Sequence, residues 1–207
     1  HAITGAIRAV LSRDRAKACF TTGHDEPSLE TAVTGFAELR ERMVKNNFDV
    51  VPVFGDTDDA EAKPLDGCSL LVLAGPRAPV PADHVAAMRR FVETGGDALL
   101  VVGPVPNTEQ TDWIPLGVES VVALGGVAVD SDLVFELDPS RRPARGDGEA
   151  FLPKVATHPA TRRLQREEDR GVLPLVFLSS SVRDLAGPLK PEPLLTTSDK
   201  SVGVADF

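Results

Sequence analysis

The sequence has no tyrosine and a single tryptophan, Trp113, so an aromatic platform for stacking bases or sugars is poorly supplied. Positive charge is also short. Twenty-two lysines and arginines stand against 31 aspartates and glutamates, a formal net charge of −9. That balance argues against nucleic-acid binding through a basic face, and an anionic membrane surface would repel the chain. No apolar run approaches the roughly 20 residues that a membrane-spanning helix needs. No signal peptide is recognisable. The chain opens at His1 within a stretch of helical spacing and stops at Phe207, so it is expected to be a soluble piece of a longer protein. The two cysteines, Cys19 and Cys68, are too few for a disulfide scaffold. Both lie at or near expected inner strands. Buried free thiols acting as small hydrophobes are the expectation, with a bridge between neighbouring strands as the alternative.

Familiar catalytic and cofactor motifs are missing too. No Gly-x-Gly-x-x-Gly follows the first expected strand, so no glycine-lined approach to a pyrophosphate exists there. There is no Gly-x-x-x-x-Gly-Lys-Ser/Thr to cradle ATP and no Gly-x-Ser-x-Gly elbow. Zinc-ligand spacing is absent, and neither cysteine sits in a strand-to-helix elbow. The expectation is therefore no cofactor, no metal and no catalytic residue.

What the chain does have is a repeated layout. Short apolar runs end on a glycine: Ala18 to Gly23, Val50 to Gly55, Leu70 to Gly75 and Ala98 to Gly103. Helical spacing follows in each interval. An amphipathic helix is expected over 2–12 and strands near 17–22, 48–54, 69–74 and 98–102. A helix over 31–46 should bury Val33, Phe36, Leu39, Met43 and Val44. Another, introduced by Pro79 and Pro81, should run to Thr94 and end at Gly95-Gly96. Nearly continuous apolar strands point to a parallel sheet covered by helices on both faces. The second half is less regular. A short helix near 116–124, strands at 127–129, 133–137 and 172–178, and a last element from Leu194 are expected. Pro174 marks the third of those strands as an edge or a bulge. The fold class is an open, mostly parallel α/β sandwich, with a core at 1–138 and an extension at 139–207 that completes or flanks the sheet in one compact domain.

Open α/β sheets carry their sites beyond the carboxyl ends of the strands. That edge would gather Gly23, His24, Asp25 and Glu26 with Asp56, Arg77 and the Gly103 turn. One reading is a metal or acid/base site built on His24, Asp25 and Glu26. The other is a loop whose polar residues cap the next helix and face water, and it is preferred because three adjacent polar residues are not a preorganised site. His158, in Thr157-His158-Pro159, is better explained as a turn former than as a ligand. Arg77 could pair with an acidic loop or bind an anion.

Thr21-Thr22-Gly23-His24-Asp25-Glu26 resembles the T-G-H-G-E turn of the GldG-like family, the extracytoplasmic domains of auxiliary ABC-transport proteins of the gliding-motility type. Leu73-Ala74-Gly75-Pro76-Arg77 is similar to that family's strand end, Phe91 to Gly96 to its helix end, Thr157 to Arg162 to its His-Pro turn, and Leu194 to Ser201 to its Leu-Leu-Thr-Thr-Ser segment. The ordered set spans most of the chain. Asp25 stands in place of a glycine, Gly103-Pro104 in place of an aspartate-proline turn, and Val202 where an aromatic is common.

The resemblance implies a flavodoxin-like or glutamine-amidotransferase-like fold lacking the nucleophile. It also implies a parent anchored in the bacterial inner membrane, working beside an ABC permease and its ATPase on the periplasmic side. A non-catalytic binding or scaffold module is the expected function. A hydrolase or carbohydrate-active enzyme using His24 and Glu26, and a sensor of a small ligand, are the alternatives.

Overall fold

The computed structural model of the chain describes residues 15–55, 65–168 and 170–206. The helix expected over 2–12 and the acidic loop Asp56 to Glu61 lie outside the described residues. Two compact units are present. One runs up to Val102 and includes Leu116–Leu124; the other comprises Gly103–Pro115 and the chain from Gly125 onward. The expected boundary at 138 falls inside the second unit.

The first unit is a four-stranded parallel sheet in the order β2-β1-β3-β4, formed by β1 (Ala16–Thr21), β2 (Phe48–Val53), β3 (Leu70–Ala74) and β4 (Asp97–Val101). This is the opening order of a flavodoxin-like sheet, as expected. Helices α1 (Ala37–Lys45), α2 (Ala82–Glu93) and α3 (Glu119–Val122) accompany it. Side chains alternate along the strands. Ala18, Phe20, Val72 and Ala74 bury one face, against which Leu29, Phe36 and Met43 pack. Cys19, Leu71 and Leu73 occupy the alternate positions and are also fully buried. The two central strands are thus covered on both faces, which is why they read as unbroken apolar runs.

Three expectations are corrected in this unit. The helix after β1 starts at Ala37, not at 31. Phe36 N–H bonds to Ser28 O (2.8 Å) and Ala37 N–H to Thr31 O (3.3 Å), closing residues 28–36 into a compact loop. The β-branched residues Thr31, Val33 and Thr34 are weak helix formers, and Val33 is left 93% exposed. Leu39 and Val44 also face outward, so only Phe36 and Met43 of the expected stripe reach the core. Second, β4 is an edge strand with Leu99 and Val101 half exposed, although its sequence looks like that of an inner strand. Third, Cys19 and Cys68 are not free thiols: they form a disulfide, with Cα atoms 5.9 Å apart. Strand β3 enters the sheet beside β1, with Ser69 N–H bonded to Lys17 O (2.8 Å), and the turn over 65–67 that leads into it brings Cys68 next to β1.

The second unit is made of two-stranded antiparallel ribbons. Strand β5 (Val127–Val129) pairs β10 (Val182–Asp184), and β6 (Leu133–Phe135) pairs β12 (Val202–Val204). Strand β7 (Ala150–Phe151) pairs β9 (Val176–Phe177), and β8 (Lys154–Val155) pairs β11 (Leu195–Thr196). A short helix, α4 (Arg162–Glu168), follows the His158 turn. The strand expected over 172–178 contracts to β9, because Pro174 has no N–H to give a ladder.

With so few apolar side chains fully buried here, polar anchors hold the ribbons. Glu136 is fully buried and accepts bonds from Asp138 N–H (2.8 Å), Ser198 N–H (2.8 Å) and Ser198 Oγ (2.6 Å). Burial alone would raise its pKa, but these donors outweigh that and hold it below the usual carboxylate value. The Glu136 backbone is itself gripped, since its N–H bonds to Gly148 O at 3.0 Å. Gly148 has φ +116°, and a Cβ there would stand 2.5 Å from the Glu136 carbonyl oxygen. Gly148→Ala should therefore lower the urea midpoint by an amount equivalent to about 1–3 kcal/mol. Gly187→Ala, where nothing lies within 4 Å of the added methyl, should leave the midpoint near that of the parent.

Candidate functional site

The loops that follow β1, β2 and β3 meet at the carboxyl edge of the parallel sheet. Strand β1 lies between β2 and β3, so its loop and that of β3 diverge at the topological switch point, where such folds place ligands. Gly23 turns the chain out of β1 with φ +94°, beside the Phe54 carbonyl oxygen. Asp25 then adopts φ 59° and points outward. The left-handed geometry that a glycine supplies in the resembling motif is thus kept here by aspartate, one of the residue types that tolerate it.

Between these two exposed residues the chain folds His24 inward until it is 1% exposed. Its Nδ1 lies 2.8 Å from Glu26 Oε1. Glu26 Oε1 also accepts from Thr21 Oγ1 (2.7 Å), and Oε2 accepts from the His24 backbone N–H (2.8 Å). The Glu26 carboxylate is 4% exposed. Burial raises its pKa, but the bonds from the His24 ring, Thr21 and the His24 backbone more than offset that and hold it below the usual value. An ionised Glu26 fixes the tautomer: His24 Nδ1 carries the proton it donates.

The other ring nitrogen, His24 Nε2, lies 2.9 Å from Nδ1 of His84, the third residue of α2. One proton fits between these nitrogens, and a second would set two N–H groups head to head. The His84 ring stacks on Phe54 with centroids 4.4 Å apart at 21°, and meets the His24 ring edge-on at 5.2 Å. Phe54 itself is held at φ 69°, a costly backbone for a bulky residue and one that turns the ring onto His84. The β3 loop closes the cluster from the other side. Arg77 N–H and Ala78 N–H both bond to the His24 carbonyl, at 2.8 and 3.1 Å. The Arg77 side chain remains exposed.

The residues singled out in the sequence are therefore sorted by burial. His24 and Glu26 form an internal pair, while Gly23, Asp25 and Arg77 rim it. Asp56 lies outside the described residues. His158 belongs to the second unit, where its Nδ1 accepts from Ala160 N–H (3.1 Å) and its N–H donates to Thr161 Oγ1 (3.1 Å), shaping the turn into α4. Sequence reasoning missed Thr21, Phe54 and His84. The start of α2 was legible from Pro79 and Pro81, and a helix leaving β3 must begin at the carboxyl edge, so His84 could have been placed there. Among the described residues no group of three or more His, Cys, Asp or Glu side chains has metal-binding geometry.

The cluster makes the first unit sensitive to acid. Burial holds His84 below the ordinary histidine value of 6.5, and the nearby His24 adds to this. Asp83 and Glu26 oppose it. Between its folded and unfolded pKa the unfolded chain binds the extra proton, so stability falls as pH drops below about 6.5. Glu26, also depressed, gives stability present above its unfolded value near 4.5 and lost as pH falls through the folded one. Denaturation midpoints measured from about pH 7.5 down to about pH 2 should thus decline in two stages, the first below about 6.5 and the second below about 4.5. His84→Gln should remove the upper stage and leave the lower.

A family model described as an ABC-type uncharacterized transport system matches residues 15–206. Among solved structures the chain is similar to one titled "mmIFT52 N-terminal domain", with a TM-score of 0.58 and 15% identity, covering 92% of this chain and 77% of that one. That likeness shows the α/β fold. No match was found among curated proteins. The matched span includes the switch-point residues Thr21 to Glu26, Phe54, Arg77 and His84 and most of both units, and the chain therefore belongs to the family of auxiliary proteins of ABC-type transport systems.

Proposed function

We propose that this chain is a non-catalytic binding and scaffold module, of the GldG-like type, that presents the switch-point edge of its parallel sheet to the permease of an ABC transport system, the permease in turn working with its ATPase. The observation that carries this reading is the use to which the chemistry is put. Both ring nitrogens of His24, its backbone N–H and its carbonyl are spent on bonds within the chain, as are both oxygens of Glu26. Such an arrangement fixes the shape of three loops and leaves Asp25 and Arg77 outside as contact residues. The disulfide supports an extracytoplasmic, periplasmic setting, since such bonds persist in oxidising compartments.

The test is affinity capture from detergent-solubilised membranes of the source cell, with the tagged chain as bait. The permease and ATPase should be enriched. Arg77→Glu combined with Asp25→Asn, which keeps a residue suited to the left-handed backbone, should lose most of that enrichment at unchanged thermal stability. Equal recovery with the double variant, or recovery of no membrane protein, would refute the site or the role respectively.

One observation favours a second reading, a hydrolase. The file Glu26–His24–His84 ends on a half-buried imidazole, the layout by which a carboxylate and a histidine orient a base. Release of product from generic ester or glycoside substrates, abolished by His84→Gln, would support that reading over the scaffold.

A further inference from the structure

The second unit holds a groove of about 610 Å³ that belongs to none of the sites above. Its walls come from β5, β6, β7, β9, β10, β11 and β12 and from the segments 179–181 and 191–193. Val127, Val134, Phe151, Val176, Leu195 and Val202 make it largely apolar, with serine and threonine hydroxyls at intervals. The ionisable groups that line it are Asp184 and Glu192, both acidic, and no lysine or arginine is among the lining residues. Glu192 lies 3.5 Å from His158 Nε2 but is 75% exposed, and Asp184 is exposed on β10.

We propose that this groove docks an extended polypeptide segment of a partner, apolar on one face and carrying lysine or arginine at its ends. Three features of the groove fit that occupant. Among the described residues β10, β11 and β12 each have a single partner in the sheets and make no backbone bond on their other edge at 182–184, 195–196 or 202–204, so these edges can add a strand. The wall strands keep large side chains in water: Val182 is 63% exposed, Val202 44% and Leu195 41%, and an added strand with alternate aliphatic residues would cover them. Two carboxylates, with no lysine or arginine among the lining residues, on a chain of net charge −9, select a basic segment and reject an acidic one.

The probe is a labelled, end-capped peptide, Lys-Val-Thr-Val-Thr-Val-Lys, titrated into the chain by fluorescence anisotropy. One control carries glutamate at both ends, and a second has serine in place of each valine. The lysine–valine peptide should bind at least roughly tenfold tighter than either control, and more weakly as salt is raised. Asp184→Lys with Glu192→Lys should weaken it by roughly tenfold, and Val182→Glu should do so separately. All three positions are exposed, so folding is preserved and can be checked by circular dichroism. Hydrogen exchange should slow at 182–184 or 202–204 when the peptide is present. No saturable binding, equal binding of the acidic control, or protection confined to the first unit would overturn the proposal. So would a dimer in sedimentation that these same substitutions dissolve, because the occupant would then be a second copy of the chain.

Discussion

Removing the Cys19–Cys68 bridge should lower the unfolding free energy by about 4 kcal/mol. The bond spans 49 residues, and on the chain-entropy account a cross-link over a loop of that length removes about this much freedom from the unfolded chain. Folded domains are commonly stable by only about 5–15 kcal/mol, so the loss is a large share of the total. The closed loop contains α1 and β2 and joins the two central strands, whose pairing buries Leu71 and Leu73. The test pairs Cys19→Ala/Cys68→Ala with wild type in urea, each with and without reductant. Wild type should shift to a lower midpoint on reduction and the double variant should not respond. Alanine suits Cys19, which is fully buried and would strand a serine hydroxyl. Two titratable thiols in the native, unreduced protein would contradict the bond itself.

His24→Ala should cost about 3 kcal/mol, the upper end of the range for leaving a buried hydrogen-bonding group without its partner. The variant leaves the buried Glu26 carboxylate without its ring donor and His84 Nδ1 without its partner. Glu26→Gln should cost less, since an amide oxygen still accepts from Thr21 and the His24 backbone. The double variant His24→Ala/Glu26→Gln should cost well under the sum of the two single losses, because the charge and its partner leave together. Additive losses in a thermodynamic cycle would mean that the pair is not coupled. This outcome also bears on function. Substitutions at His24 or Glu26 act on stability first, so contact with a partner is better probed at Arg77 and Asp25, whose side chains lie on the rim.

Much of the parallel half could be read from residue order alone. Apolar runs ending in glycine give strands and their exits whether or not anything else is known, and Pro81 with Gly95-Gly96 brackets a helix by backbone chemistry. These are local rules, and they placed β1, β2, β3 and α2 within a residue or two. The same reasoning failed at α1, where the Ser28 to Phe36 loop is closed by hydrogen bonds that no periodicity announces. It failed again along the second half, where strands of two or three residues carry too few side chains to show a period.

The candidate site divides along the same line. His24, Glu26 and Arg77 stood out because polar residues follow glycine at strand ends, and parallel topology sends those ends to one edge. That His24 turns inward while Asp25 turns outward depends on a left-handed backbone angle at Asp25. That His84 completes the file depends on α2 starting over β1, 60 residues away in the chain. The pairing of Cys19 with Cys68 likewise needed the β1–β3 register. The sequence by itself determined the strands of the parallel half, their glycine-marked exits and the acidic charge, because these follow from side-chain chemistry and short-range backbone preference. Which polar groups are buried, which are bonded and which face a partner was decided by the tertiary structure, because burial and hydrogen-bond geometry exist only once distant segments share the same space.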